Sequence, residues 1–163
     1  MFASGELRGR RVERDRLHIS LNFVGEYFAL PEAPLAAVRE AVSTLKVPSF
    51  VVSLNAVTSF ENNGRKPRVF VGDDGVCGVL MLHRTIHEAL TKAGLQQGTE
   101  RRITPHLTLS REDDKLPDDG VDPVSWRVRE FRLIHSRQGQ SRHNVLGSWP
   151  ILSMPNRVDA SAN

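Results

Sequence analysis

Two short stretches of this chain carry the same chemical groups in the same order. "HISL" begins at His18 and "HLTL" at His106, each placing an imidazole, an apolar residue, a hydroxyl and a leucine in succession. In an extended strand alternate side chains face one way, roughly 6–7 Å apart, so His18 projects with Ser20 and His106 with Thr108. Brought together, two such strands line one cleft with two imidazoles and two hydroxyls. An unperturbed imidazole titrates near pH ~6.5. One ring can therefore take a proton from an attacking oxygen while the other supplies one to a leaving oxygen. The hydroxyls can hold non-bridging phosphate oxygens, a set that suits opening a cyclic phosphodiester without a metal.

A single His-x-Ser or His-x-Thr triplet has little weight, because such triplets arise by chance; the repetition on two alternating segments gives it meaning. Other residues offer rival chemistry. His83 and His87 stand four apart on a predicted helix, a spacing zinc can use. The residues between them are not the H-E-x-x-H pattern, no third ligand is near, and His83 lies by the apolar stripe, so structural roles fit better. His135 and His143 have no spacing that argues for chemistry. Ser20 or Thr108 as a covalent nucleophile lacks a nucleophile-elbow sequence. Cys77, the one cysteine, excludes an internal disulfide and suits a reducing cytoplasm; "GVCGVL" reads as a buried structural setting. Phe60 and Trp126 could stack on a base, although core packing suits each.

The elements that must position the tetrads follow from periodicity. Leu17, Ile19, Leu21 and Phe23 alternate with His18, Ser20 and Asn22, the pattern of a half-buried strand over 16–23. Leu35, Val38, Val42 and Leu45 predict a helix, and "FVVSLNAVTSF" and "PRVFVG" predict two strands around the turn-rich "ENNGRK". Val79, Leu82, Ile86, Leu90 and Ala93 predict a second helix that Gly94 stops. The second tetrad follows, then the acidic loop "EDDKLPDDGVDP" and two closing strands in "VSWRVREFRLIHS" and "NVLGSWPIL". This order predicts an α+β fold of two similar halves with mostly antiparallel sheets.

The chain has 163 residues, 39% of them hydrophobic and 25% charged, as in one ordinary globular domain. Residues 1–15 form a basic N-terminal segment and 154–163 a tail expected to fray. No apolar run reaches the ~18 residues of a membrane span, and the N-terminus lacks the apolar stretch of a signal peptide. The expectation is a cytoplasmic protein without a membrane partner. A formal charge of +3 and a pI near 9.5 tilt modestly towards an anionic partner.

The paired tetrads resemble the signatures of the two-histidine (2H) phosphoesterases. The similarity is greatest to the bacterial 2′-5′ RNA ligase group, whose better-supported activity is RNA 2′,3′-cyclic phosphodiesterase. "RLHISLNFVGE" is similar to the family's first motif, "VTSFENNGRKPRVFVGDDG" to its middle segment, "LHRTIHEALTKAGL" and "RRITPHLTLSR" to the second motif and its approach, and "FRLIHSRQGQSRHNVLGSWPI" to its closing hairpin. The resemblance runs from about Gly9 to Ile151. It implies one bilobal domain over 1–163, two pseudo-symmetric lobes facing a central cleft, and helices outside.

The resemblance also implies roles. His18 and His106 would be the catalytic pair, Ser20 and Thr108 phosphate-binding hydroxyls, and Arg111 a substrate-binding cation. His106 would orient water and His18 protonate the departing ribose 3′ oxygen, leaving a 2′-phosphate, with reversible 2′-5′ ligation as a further activity. Implied partners are RNA ends or nucleotides with a 2′,3′-cyclic phosphate; no metal or organic cofactor is implied. Two features depart from the family. Ser20 stands where threonine is commoner. Members usually begin with an apolar strand and a helix, so the first lobe is expected to lack its opening elements, with lowered stability or oligomerisation at a sheet edge. The alternative to the enzyme is a catalytically impaired RNA- or nucleotide-binding module that keeps the same cleft.

Overall fold

The computed structural model describes residues 9–61, 64–95, 102–136 and 143–152. The whole of the expected tail at 154–163 and the start of the basic segment lie outside these residues, as do two residues of the "ENNGRK" turn. Ahead of His18 stand β1 (Arg10–Arg11) and a single 3-10 turn, Arg14–Arg16. There follow α1 (Glu32–Ser43), β2 (Phe50–Ser59), β3 (Lys66–Val71), α2 (Cys77–Lys92), β4 (His106–Glu112), β5 (Asp119–Val128), β6 (Glu130–His135) and β7 (Asn144–Pro150). The class is α+β. The named strands pair antiparallel throughout, in a five-stranded sheet ordered β1-β4-β3-β2-β5 and a two-stranded sheet β6-β7.

Helix α2 fastens the two sheets. Its Val79 joins Val52, Leu54, Val57, Phe70 and Val76 in one apolar cluster against the five-stranded sheet. One turn on, Leu82, Ile86 and Leu90 join Val38 and Val42 of α1 in a second cluster, on which Phe131, Leu133 and Trp149 of the small sheet pack. A helix whose apolar residues recur every three or four positions can serve both layers from one stripe. Leu54, Leu82 and Leu90 are fully buried, so truncating any of them to alanine costs about 2–5 kcal/mol. The helix ends as its sequence predicts. Gly94 takes φ 73°, and the amides of Gly94 and Leu95 bond back to the carbonyls of Thr91 and Leu90.

Two predicted elements differ. The first of the two closing strands is two strands rather than one: β5 begins inside the predicted acidic loop and pairs with β2, and after Arg129 the chain passes to the other sheet as β6. Alternation alone cannot mark where a strand changes sheets. The strand predicted over 16–23 is mostly extended chain without a ladder. Only Ile19 forms a bridge, to Leu107, and Ile19 and Leu21 reach the core, whereas Leu17 and Phe23 stay exposed. The β4 edge further on is already taken by β1, so this segment has a single point of pairing.

Candidate functional site

β4 lies between β3 and β1 in the sheet, and one irregularity in it decides what it presents. Its register with β3 passes from Val69 opposite Thr108 to Arg68 opposite Ser110, so Leu109 is an extra residue, a β-bulge. Before the bulge, Leu107 faces the core with Phe70, and His106 and Thr108 face the other way. After it the alternation is reversed. Ser110 and Glu112 turn inward, where the Ser110 hydroxyl donates to the buried Glu112 carboxylate at 2.5 Å. Arg111 turns outward onto the face of His106 and Thr108. Simple alternation puts Ser110 on that face and Arg111 off it; the bulge exchanges them. Across the edge, Arg10 of β1 stands opposite Arg111 and shares its face. Gly9 permits this approach, because a Cβ there would lie 2.0 Å from the Arg111 carbonyl oxygen, and its amide donates to Glu112 at 2.5 Å.

The first tetrad lies alongside. The bridge between Ile19 and Leu107 is antiparallel, so continuing its register sets His18 opposite Thr108 and Ser20 opposite His106. Each imidazole thus faces the other half's hydroxyl, the arrangement expected of a two-fold repeat. The structure brings together His18, Ser20, His106, Thr108 and Arg111 on one face.

Both rings are pinned in the same manner. Nδ1 of His18 lies 2.7 Å from the Arg16 carbonyl, and Nδ1 of His106 lies 2.7 Å from the Thr104 carbonyl, in each case two residues upstream. A carbonyl oxygen can only accept, so both rings carry the proton on Nδ1 and leave Nε2 for chemistry. Neutral, such an Nε2 is a base; protonated, it is an acid. Each ring also has an aromatic wall. Phe60 meets His106 edge-on, with centroids 4.9 Å apart and planes at 68°, and His143 meets His18 at 4.9 Å and 81°.

His143 is the residue that sequence reasoning missed, for it is brought in by the closing hairpin and no local spacing announces it. Burial first, then the nearby His18 and Arg16, push its imidazole below the ordinary histidine range, with Asp15 acting the other way. Phe60, for which core packing was the favoured reading, instead stands against His106; Trp126 is on the exposed side of β5. Cys77, expected to be buried, is exposed at the first turn of α2. His83 has a structural task. It is buried, and its Nδ1 donates to the Leu21 carbonyl at 2.9 Å, giving the first segment a partner that the sheet does not supply. Its ring centroid is 6.1 Å from that of His87, and among the described residues no group of three or more His, Cys, Asp or Glu is placed to hold a metal.

Two antiparallel half-sites, each offering an Nε2 and a hydroxyl, define a two-histidine phosphoesterase type of domain. The family model of the 2′-5′ RNA ligase superfamily matches residues 4–140, and the chain belongs to that family. It is 31% identical over 141 residues to an RNA 2′,3′-cyclic phosphodiesterase of Archaeoglobus fulgidus, covering 82% of this chain and 77% of the relative. It is 28% identical over 149 residues to an RNA 2′,3′-cyclic phosphodiesterase of Escherichia coli, covering 88% and 80%. The fold is similar to that of E. coli LigT in apo form, with a TM-score of 0.69 and 23% identity over 88% of this chain and 80% of that one. LigT complexed with 3′-AMP aligns with a TM-score of 0.64 and 24% identity, again over 88% and 80%. Among the described residues no helix is long and apolar enough to cross a membrane.

Proposed function

We propose that this protein hydrolyses RNA 2′,3′-cyclic phosphate ends to 2′-phosphates by metal-independent acid–base catalysis, and can carry out reversible 2′-5′ ligation when an RNA 5′ hydroxyl takes the place of water as the nucleophile. One observation carries the reading: the two tetrad imidazoles, on adjoining antiparallel segments, are both tied through Nδ1 to a carbonyl and so both keep Nε2 free. In the forward direction Nε2 of His106 takes a proton from water as its oxygen bonds to phosphorus. The bond from phosphorus to the ribose 3′ oxygen breaks, and protonated Nε2 of His18 gives that oxygen its proton. The phosphate stays on the 2′ oxygen. Ser20 and Thr108 hold the non-bridging oxygens, and Arg111 offsets their charge. The reverse reaction exchanges the roles of acid and base, which two identically tied rings permit. The single, exposed cysteine fits a cytoplasmic setting.

The test is a short RNA with a terminal 2′,3′-cyclic phosphate, incubated in EDTA with wild-type protein, His18→Ala and His106→Ala. Products are resolved by mass and by the position of the phosphate. Wild type should leave a 2′-phosphate, and each variant should lose ~10²–10⁴-fold in rate. A folded wild-type protein that binds the RNA and leaves it intact would replace this reading with a binding module.

A further inference from the structure

The two half-sites share their ties and the geometry of their walls but differ in what the walls can do: Phe60 cannot take up a proton, and His143 can. We propose that His143 is a positioning residue for His18, a neutral ring that buttresses the working imidazole edge-on and makes the first half of the site, but not the second, sensitive to acid. The inference deepens the proposed function, since it takes His18 as a proton donor.

The positioning part follows from contact. His18 is exposed, and its Nδ1 bond to the Arg16 carbonyl limits rotation of the ring from one edge only. A second ring at 4.9 Å and 81° restricts that rotation, as Phe60 does for His106. The acid-sensitive part follows from charge. Imidazoles so close cannot both be protonated without mutual repulsion, so one proton is held where two could bind. The charged and titratable groups facing His143 are His18 and Arg16, which oppose its proton, and Asp15, which favours it; burial opposes it further. Of the two rings, His143 is therefore the one held from taking up a proton. As pH falls and His143 is forced to charge, the contact becomes repulsive and the first half loses its arrangement.

The sign for stability agrees. A histidine held below its ordinary value when folded binds more protons when unfolded. Its contribution is complete above the ordinary imidazole range, near pH ~6.5, and is lost as pH falls towards its lower folded value.

His143→Phe keeps a ring and removes the titration; His143→Ala removes both. The acid limb of the pH–rate profile should approach a slope of two for wild type, one proton on the base and one on His143, and a slope of one for His143→Phe. At neutral pH His143→Phe should stay within about threefold of wild type. His143→Ala should lower kcat roughly tenfold with little change in KM. NMR titration of the His18 ring should give a second, acid inflection in wild type that is absent in His143→Phe. This readout needs no turnover, so it judges the inference even where the RNA assay fails. Superimposable profiles, with a single His18 inflection in both proteins, overturn the proposal; so does a His143→Ala protein that is folded and has an unchanged kcat.

Discussion

The two halves of the site place the same groups by different means. His106 stands on β4, a strand with neighbours on both sides, so its backbone is fixed by ladder hydrogen bonds. His18 stands on an extended segment held by one bridge at Ile19, the apolar contacts of Ile19 and Leu21, and the hydrogen bond from His83 to the Leu21 carbonyl. A repeated motif therefore need not rest on a repeated scaffold. What is repeated is the local tie, Nδ1 to the carbonyl two residues back, and that tie needs only an extended backbone. The first half should be the more easily disturbed, since side-chain props are lost singly whereas a ladder fails cooperatively.

The largest test of equivalence is on the hydroxyls. If each half contributes one phosphate contact, Ser20→Ala and Thr108→Ala should each reduce kcat/KM by roughly 10- to 100-fold, the worth of a hydrogen bond to a charged group. Single-turnover rates on a cyclic-phosphate RNA measure this. A loss confined to Thr108→Ala would mean that the second half binds phosphate alone. Ser20→Thr should then leave the rate nearly unchanged if only the hydroxyl matters.

A smaller effect, on stability, separates the scaffolds. His83→Ala leaves the Leu21 carbonyl without its partner and opens a cavity at a buried position. Removing a partner of a buried group costs about 1–3 kcal/mol, readable as a lower denaturation midpoint. Hydrogen exchange locates the damage: amides around 19–22 should exchange faster, and those of β4 should be little changed. Equal acceleration in both segments would dissolve the contrast between ladder and prop. His83→Asn, which keeps a donor, should recover part of the loss.

These contrasts mark what the sequence could and could not convey. Both helices were legible because Leu82, Ile86 and Leu90, like Val38 and Val42, recur at the helical interval, and Gly94 signals an end by a conformation few other residues accept. The tetrads were legible because residue type and order survive without any knowledge of pairing. Leu109 as a bulge was not, since a bulge is a relation between two strands and β3 supplies half of it. His143 was hidden for the same reason: it reaches His18 through tertiary folding, 125 residues away, and nothing around it differs from an ordinary hairpin end. Alternation over 16–23 was real, but it could not reveal that β1 would occupy the adjoining edge of β4.

The smallest expected effect concerns the cations, and it extends the comparison beyond the catalytic groups. Arg111 owes its outward direction to the bulge in the second half, and Arg10 reaches the same face from β1, the strand that leads into the first. Like charges directly opposite across a strand pair repel, a modest cost that a bound phosphate would relieve. If the RNA lies across this face as proposed, a phosphate of the chain beyond the cyclic end would come to the pair of arginines that the register sets side by side. Arg10→Ala should raise KM a few-fold for an oligonucleotide and reduce the salt dependence of its binding by about one phosphate contact, a slope change of roughly 0.7 for a single strand. A nucleoside 2′,3′-cyclic monophosphate has no second phosphate, so its KM should be unaffected by this change while Arg111→Ala raises it. If Arg10→Ala weakens both substrates alike, the two arginines act on one phosphate and the first half lends charge to the second. If it weakens neither, the edge of the sheet lies outside the path of the RNA, and the contribution of β1 is confined to fixing the strand that bears Arg111.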